Sequence, residues 1–196
     1  MIKITFSFVA SVFIIWFLLS DNTVTLGEGI KASTPPVQVD IETKDQKTLI
    51  KAGYDIQLKA RFDITAKILS KKNYTRDAGA NLSKTDLALG WGTMSDEAIL
   101  DTITIRQSRR WYHWKTPELV IPRRDIERQS ANMHLIPASD AVQDVIDDAK
   151  EGQIIHLKGY LVNARNEDGF VFKSSLTRND TGDGACEVIY VEHARI

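Results

Sequence analysis

The chain has one cysteine, Cys186, in 196 residues, so no internal disulfide framework can form. It has no excess of either charge: 25 basic against 26 acidic side chains leave a net charge of −1. Without a basic surplus there is no general electrostatic pull on phosphate backbones, which argues against a nucleic-acid partner. The four histidines, His113, His134, His156 and His193, stand at no i,i+3 or i,i+4 spacing, so no sequence-local zinc motif exists and no metal is expected. Glycines are too scattered for a phosphate-binding loop, Gly182 and Gly184 being the nearest approach, and no cofactor is expected. Long apolar runs are also missing, with one exception at the N-terminus.

That exception is residues 4–19 (ITFSFVASVFIIWFLL), which carry no charge and follow Lys3. With Ser20 the run reaches the lower end of the roughly 17–25 residues that cross a bilayer as a helix. A cleaved signal peptide would need a small-x-small site after the apolar core, but the chain continues Ser20-Asp21-Asn22-Thr23. The reading is an uncleaved anchor over residues 1–20, with a signal peptide as the alternative. Lys3 on the short side keeps the N-terminus in the cytoplasm and sends the rest outward. In a Gram-negative cell the expected address is a single-pass inner-membrane protein, its domain in the periplasm.

The remaining chain is ordinary for one folded domain, with 26% charged and 43% hydrophobic residues overall, so disorder throughout is not expected. Residues 21–47 show no sustained period and carry Ser33-Thr34-Pro35-Pro36, which reads as a flexible tether. Residues 48–196 read as a single globular domain. Its clearest signal is residues 54–68, where Tyr54, Ile56, Leu58, Ala60, Phe62, Ile64, Ala66 and Ile68 alternate with polar positions. Period two over that length predicts a strand with one buried face. Residues 71–80 read as a polar loop. Two short helices are predicted, one after a Ser95 cap and one after a Ser139 cap with Gly152 near its stop. Pro117 and Pro122 punctuate an extended stretch, and Asp168-Gly169 marks a hairpin. The fold class is α+β, a mostly antiparallel sheet or small OB-like barrel with two short helices, after one N-terminal transmembrane helix.

Four features could carry chemistry. Trp91 stands between Gly90 and Gly92, either a stacking platform or a core tryptophan flanked by turns. Trp111 and Trp114 belong to the aromatic run WYHW. In residues 130–137, Ser130, Asn132 and His134 fall on alternate positions and would share one face of a strand, as a site or as a solvated polar face. Residues 174–187 (SSLTRNDTGDGACE) form the densest polar region, with Ser174, Ser175, Arg178 and Asp180, ahead of an apolar strand. Cys186 could be a small apolar filler, or a nucleophile with His134 as base and Asn132 or Asp180 as its orienter.

The segments SANMHLIPA and SSLTRNDTGDGACE resemble a family of bacterial exported or membrane-anchored proteins with no assigned function, over about residues 82–191. The resemblance implies no activity, cofactor or partner. The expected function is a non-catalytic, membrane-tethered periplasmic domain that binds an envelope protein or ligand through Trp91, Trp111, Trp114, Ser174, Ser175, Arg178 and Asp180. The alternative is a cell-envelope hydrolase or transferase using Cys186 and His134, with Asn132. Because Ser130–His134 and the stretch ending at Cys186 both run polar groups into apolar strands, the two are expected to lie against each other.

Overall fold

The computed structural model describes residues 23–177, 179–180 and 184–196. The apolar run at residues 4–19 and Arg178 therefore lie outside the described residues. Among the described residues no helix is long and apolar enough to cross a membrane. The strands are β1 (Val37–Asp40), β2 (Thr48–Lys51), β3 (Tyr54–Asn73), β4 (Thr85–Gly90), β5 (Thr104–Ser108), β6 (Trp111–Lys115), β7 (Ser130–Pro137), β8 (Ile154–Asn166), β9 (Val171–Lys173) and β10 (Glu187–Arg195). The α-helices are α1 (Glu97–Leu100), α2 (Arg123–Arg128) and α3 (Asp140–Asp148). The fold is α+β, dominated by sheet with mostly antiparallel pairing.

β3 organises the molecule. All eight even-numbered side chains from Tyr54 to Ile68 are buried, while Asp55, Arg61 and Thr65 face water. The strand runs on to Asn73, so the first residues of the expected polar loop are strand instead, paired with β4 as Lys71 to Leu87 and Asn73 to Thr85. Twenty residues are too many for one flat strand with a single neighbour on each side. The register shifts between Leu58 and Ala60 and between Ile68 and Ser70, and such bulges bend a strand. β3 therefore pairs with β8 from Tyr54 to Lys67 and with β4 from Lys67 to Asn73. β4 pairs with β7, β7 with β10 and β10 with β8, which returns to β3 and closes a ring of five strands. β7 and β10 form its parallel pair.

Closure leaves one interior to fill, and Phe62, Ile64, Leu87, Leu89, Met133, Leu135, Leu157, Leu161 and Ile189 fill it. α3 adds Val142, Ile146 and Ala149 to the same cluster. Its N-terminus is capped as expected, the Ser139 hydroxyl accepting from the Val142 N–H. Ser95 does not cap α1. Asp96 does, accepting from Ala98, because Ser95 ends a 3-10 turn and its hydroxyl is spent on the Gly92 carbonyl and the Lys31 and Ala32 amides. Among the described residues there are three α-helices where two short ones were expected. α2 begins after Pro122 without a side-chain cap and buries one residue, Ile126, so it leaves almost no periodic signal.

The segment expected to be a flexible tether is bound to the domain from Thr23 onward. Three successive side chains at α1 capture its backbone amides. Glu97 accepts from Leu26 and Gly27 at 2.6 Å, Asp96 from Gly29 and Ser95 from Lys31 and Ala32. The Val24 N–H donates to the Glu151 carbonyl, and β1 pairs antiparallel with β3. Its own sequence has no period because its partners are backbone amides, which every residue but proline carries.

Candidate functional site

The sequence Gly90-Trp91-Gly92 ends β4. A Cβ at Gly90 would run into the Met94 carbonyl, and one at Gly92, where φ is +54°, into the Gln129 side chain. The backbone therefore packs tightly around Gln129, whose carbonyl accepts from Trp91 N and whose Oε1 accepts from Thr93 N. Trp91 is 4% exposed and belongs to the main core. It is a core tryptophan whose surface forms the floor of a cleft, not a free platform.

The hairpin β5–β6 folds over that floor. Its two turn residues, Arg109 and Arg110, have φ of +52° and +69°. Side chains other than glycine, asparagine and aspartate adopt this region reluctantly. What holds the turn is Arg110. Its guanidinium donates to both oxygens of Asp77 at 2.8 and 2.9 Å and to Asp86 Oδ1 at 2.7 Å, and lies 3.9 Å over the Tyr74 ring. Its N–H donates to the Tyr74 hydroxyl, and its carbonyl accepts from Asn132 Nδ2 at 3.1 Å. Burial disfavours the charged guanidinium, but Asp77 and Asp86 outweigh this and hold its pKa above the usual value.

Beneath the hairpin the two polar segments meet. β7 and β10 run side by side with His134 opposite Val188, and Asn132 Nδ2 lies 3.8 Å from Cys186 Sγ. Ser130, Asn132 and His134 share a face as expected, but that face is covered: they are 6%, 3% and 5% exposed. The reading of His134 as a solvated histidine is thereby corrected. Its orienter is also corrected. Neither Asn132 nor Asp180 holds the ring; Asp86 does, from the facing register position on β4. Asp86 Oδ1 is 2.9 Å from His134 Nδ1, within ion-pair reach although the ring N–H is not aligned on it as a hydrogen bond. Asp86 is fully buried, and among the described residues its Oδ2 has no hydrogen-bond partner. Phe172 packs against the ring at 5.1 Å between centroids. Burial opposes charge on His134, but the Asp86 carboxylate and then a side-chain contact to Cys186 raise its pKa to about 9. Cys186 stands just before β10 and is partly exposed, so it is not a filler within the buried strand.

Beside Ser130, Asn132 and Cys186 the structure forms a cleft of about 390 Å³. Trp91, Trp111, Tyr112 and Trp114 give it aromatic walls, Arg123, Glu127 and Arg128 come from α2, and Asn132, Thr177, Asp180, Cys186 and Glu187 line the rest. Trp111 is 38% exposed. Trp114 is half-buried, with the Arg123 guanidinium 5.5 Å over its ring. Burial pushes the Tyr112 phenol up to about 12, and it shares a hydrogen bond with Ser130 at 3.1 Å. No protein family, curated protein or solved structure matches the chain. The geometry alone therefore speaks for the site.

Of the expected binding residues, Trp91, Trp111, Trp114 and Asp180 line the cleft, as do Asn132 and Cys186. Ser174 and Ser175 do not. They are buried and serve the backbone: Ser174 Oγ accepts from Val188 N, and Ser175 N donates to the Cys186 carbonyl. The Ser175 hydroxyl also donates to Asp180 at 2.6 Å, which sets the shape of the loop. Sequence reasoning missed Asp86, Arg110, Tyr112 and α2. The one available signal for Asp86 was an acid inside an otherwise apolar strand, β4, which is buried at every position.

Proposed function

We propose that this chain is a membrane-tethered periplasmic domain, anchored in the inner membrane through residues 4–20 with its N-terminus cytoplasmic, whose aromatic cleft binds an envelope protein or ligand. The observation that carries this reading is the cleft. Its volume of about 390 Å³ lies within the usual range for ligand sites, roughly 300–1,000 Å³. Trp111 and Trp114 offer flat apolar faces, while Arg123, Arg128 and Asp180 provide charges of both signs near them. This lining suits a ligand, or a partner's side chain, with a flat face and a polar edge.

We also read the closed ring as an OB-type barrel. Its third and fifth strands, β7 and β10, are parallel, and α3 connects the third to the fourth, β8. In that architecture the loop between the last two strands contributes to ligand binding, and here the same loop supplies Thr177, Asp180 and Cys186. This support is fold analogy, since the fold hosts many functions. A second reading, a cell-envelope hydrolase or transferase, has in its favour the His134–Asp86 pair at 2.9 Å and Cys186 lining the cleft at the head of the neighbouring strand.

Site-specific photo-crosslinking in cells tests the binding reading. A crosslinker placed at Trp111 should capture an envelope species, and one at Ile50, which is 82% exposed on β2, should not. The same adducts from both positions, or none from Trp111, would reject the cleft as the binding surface.

A further inference from the structure

We propose that Cys186, His134 and Asp86 act as nucleophile, proton carrier and orienting carboxylate, and that the cleft is an acyl-transfer site for a carboxylic ester or thioester. The inference rests on the cleft being a ligand site and adds the chemistry performed there.

The three groups come from adjacent strands of the ring. Asp86 on β4 faces His134 on β7, and Cys186 leads into β10, the other neighbour of β7. His134 Nδ1 lies 2.9 Å from the carboxylate on one side, Cys186 stands at the head of the strand on the other with its sulfur 3.8 Å from Asn132 Nδ2 and from the Arg110 carbonyl, and Phe172 packs against the His134 ring. Base and orienter are shut away from water, but the sulfur borders the cleft, as a nucleophile must. Asp86 has an oxygen to spare: Oδ1 serves both Arg110 and His134, and Oδ2 has no partner among the described residues. A carboxylate placed only to satisfy Arg110 would not need to face the histidine.

The reaction needs only the ester and water. His134 already carries its proton at neutral pH, so Cys186 loses its own to water and the sulfur anion attacks the acyl carbon. A C–S bond forms, and the carbonyl oxygen takes the electron pair. Asn132 Nδ2, 3.8 Å from the sulfur, is the amide donor beside the developing oxyanion. The oxyanion collapses, the bond to the leaving group breaks, and that alcohol or thiol takes the proton from His134. Water then attacks the acyl-cysteine as His134 accepts its proton. The C–S bond breaks, the acid departs, and the sulfur anion is restored beside the protonated ring. An acceptor alcohol in place of water makes the same cycle a transfer.

Two probes test this on the folded protein, p-nitrophenyl acetate and iodoacetamide. Mass spectrometry should find an acetyl group on Cys186, with a burst of nitrophenol equal to the protein present. Iodoacetamide at neutral pH should alkylate the folded chain about tenfold or more faster than the same chain in urea. Asp86→Asn and His134→Asn should each remove that advantage and change the pH profile of alkylation while near-ultraviolet circular dichroism stays native. If a variant fails to fold, the folded-against-unfolded comparison in the unaltered protein still decides. A folded chain that reacts no faster than the unfolded one and takes up no acetyl would overturn the proposal. Crosslinking from position 111 in Cys186→Ser separates the two readings: capture retained beside an inert thiol leaves binding standing without chemistry, and a reactive thiol without capture does the reverse.

Discussion

Arg109 and Arg110 occupy one strained turn, yet they should respond to mutation in opposite ways. Arg109 is exposed, with no hydrogen bond among the described residues, so Arg109→Gly relieves a positive φ at little loss and should change stability by no more than about 1 kcal/mol. Arg110→Ala strands the fully buried Asp86 beside a histidine alone and unpins the hairpin, and should cost about 3–5 kcal/mol. Urea denaturation of both variants measures the contrast. Phe62 and Arg61 make a second pair. Phe62→Ala should cost about 3–5 kcal/mol, because its ring belongs to the main core, and Arg61→Ala far less, because Arg61 faces water. Equal losses would mean that the alternation does not set the core. His134 adds a pH dependence. Burial opposes its charge, but Asp86 and Cys186 raise its pKa from 6.5 to about 9. A raised pKa means that the folded state holds a proton the unfolded state releases. Its contribution, on the order of 3 kcal/mol, is fully present below about pH 6.5 and is lost as pH rises through about 9. Stability in urea should fall across that window, and His134→Asn should flatten the fall.

At the scale of elements, the N-terminal strap and α1 form one unit. Glu97 holds Lys67, which is 3% exposed, at 2.5 Å, as well as two strap amides, and Lys67 keeps the Glu97 carboxyl below its usual pKa. The strap reaches Ala32, whose carbonyl accepts from Gly92 N beside the floor of the cleft. Glu97→Gln should lower hydrogen-exchange protection at Leu26 and Gly27, while Ala32, held by Ser95, stays protected. Unchanged protection at Leu26 would show that Glu97 does not hold the strap. The β5–β6 hairpin is a second such unit, clamped to β4 and β7 through Arg110 and Asn132, which is how a short surface element can fix two aromatic side chains over a cleft.

For the whole molecule the strap changes what an anchor would mean. Only residues 20–22 separate the apolar run from Thr23, too few for a long tether. An anchored domain would then sit against the bilayer instead of ranging away from it on a long tether. Protease added to spheroplasts should remove the domain; complete protection until the membrane is opened would reject the outward orientation. A mature N-terminus between residues 20 and 33 would replace the anchor with a signal peptide and keep the compartment.

What the sequence by itself determined is local. The alternation of residues 54–68 named every buried side chain of that stretch but Lys67, because successive strand residues point to opposite faces whatever their partner. The Ser139 cap and the nearby Gly152 placed α3, since a helix satisfies its own backbone. The meeting of Ser130–His134 with the stretch before β10 was legible as polar groups in need of partners. Tertiary structure alone decided ring closure, the bound strap, the burial of Trp91 and the choice of Asp86 to hold His134. Each depends on pairing between residues far apart in the chain, where backbone amides carry no sequence signature and an acid in an apolar strand does not reveal which cation will face it.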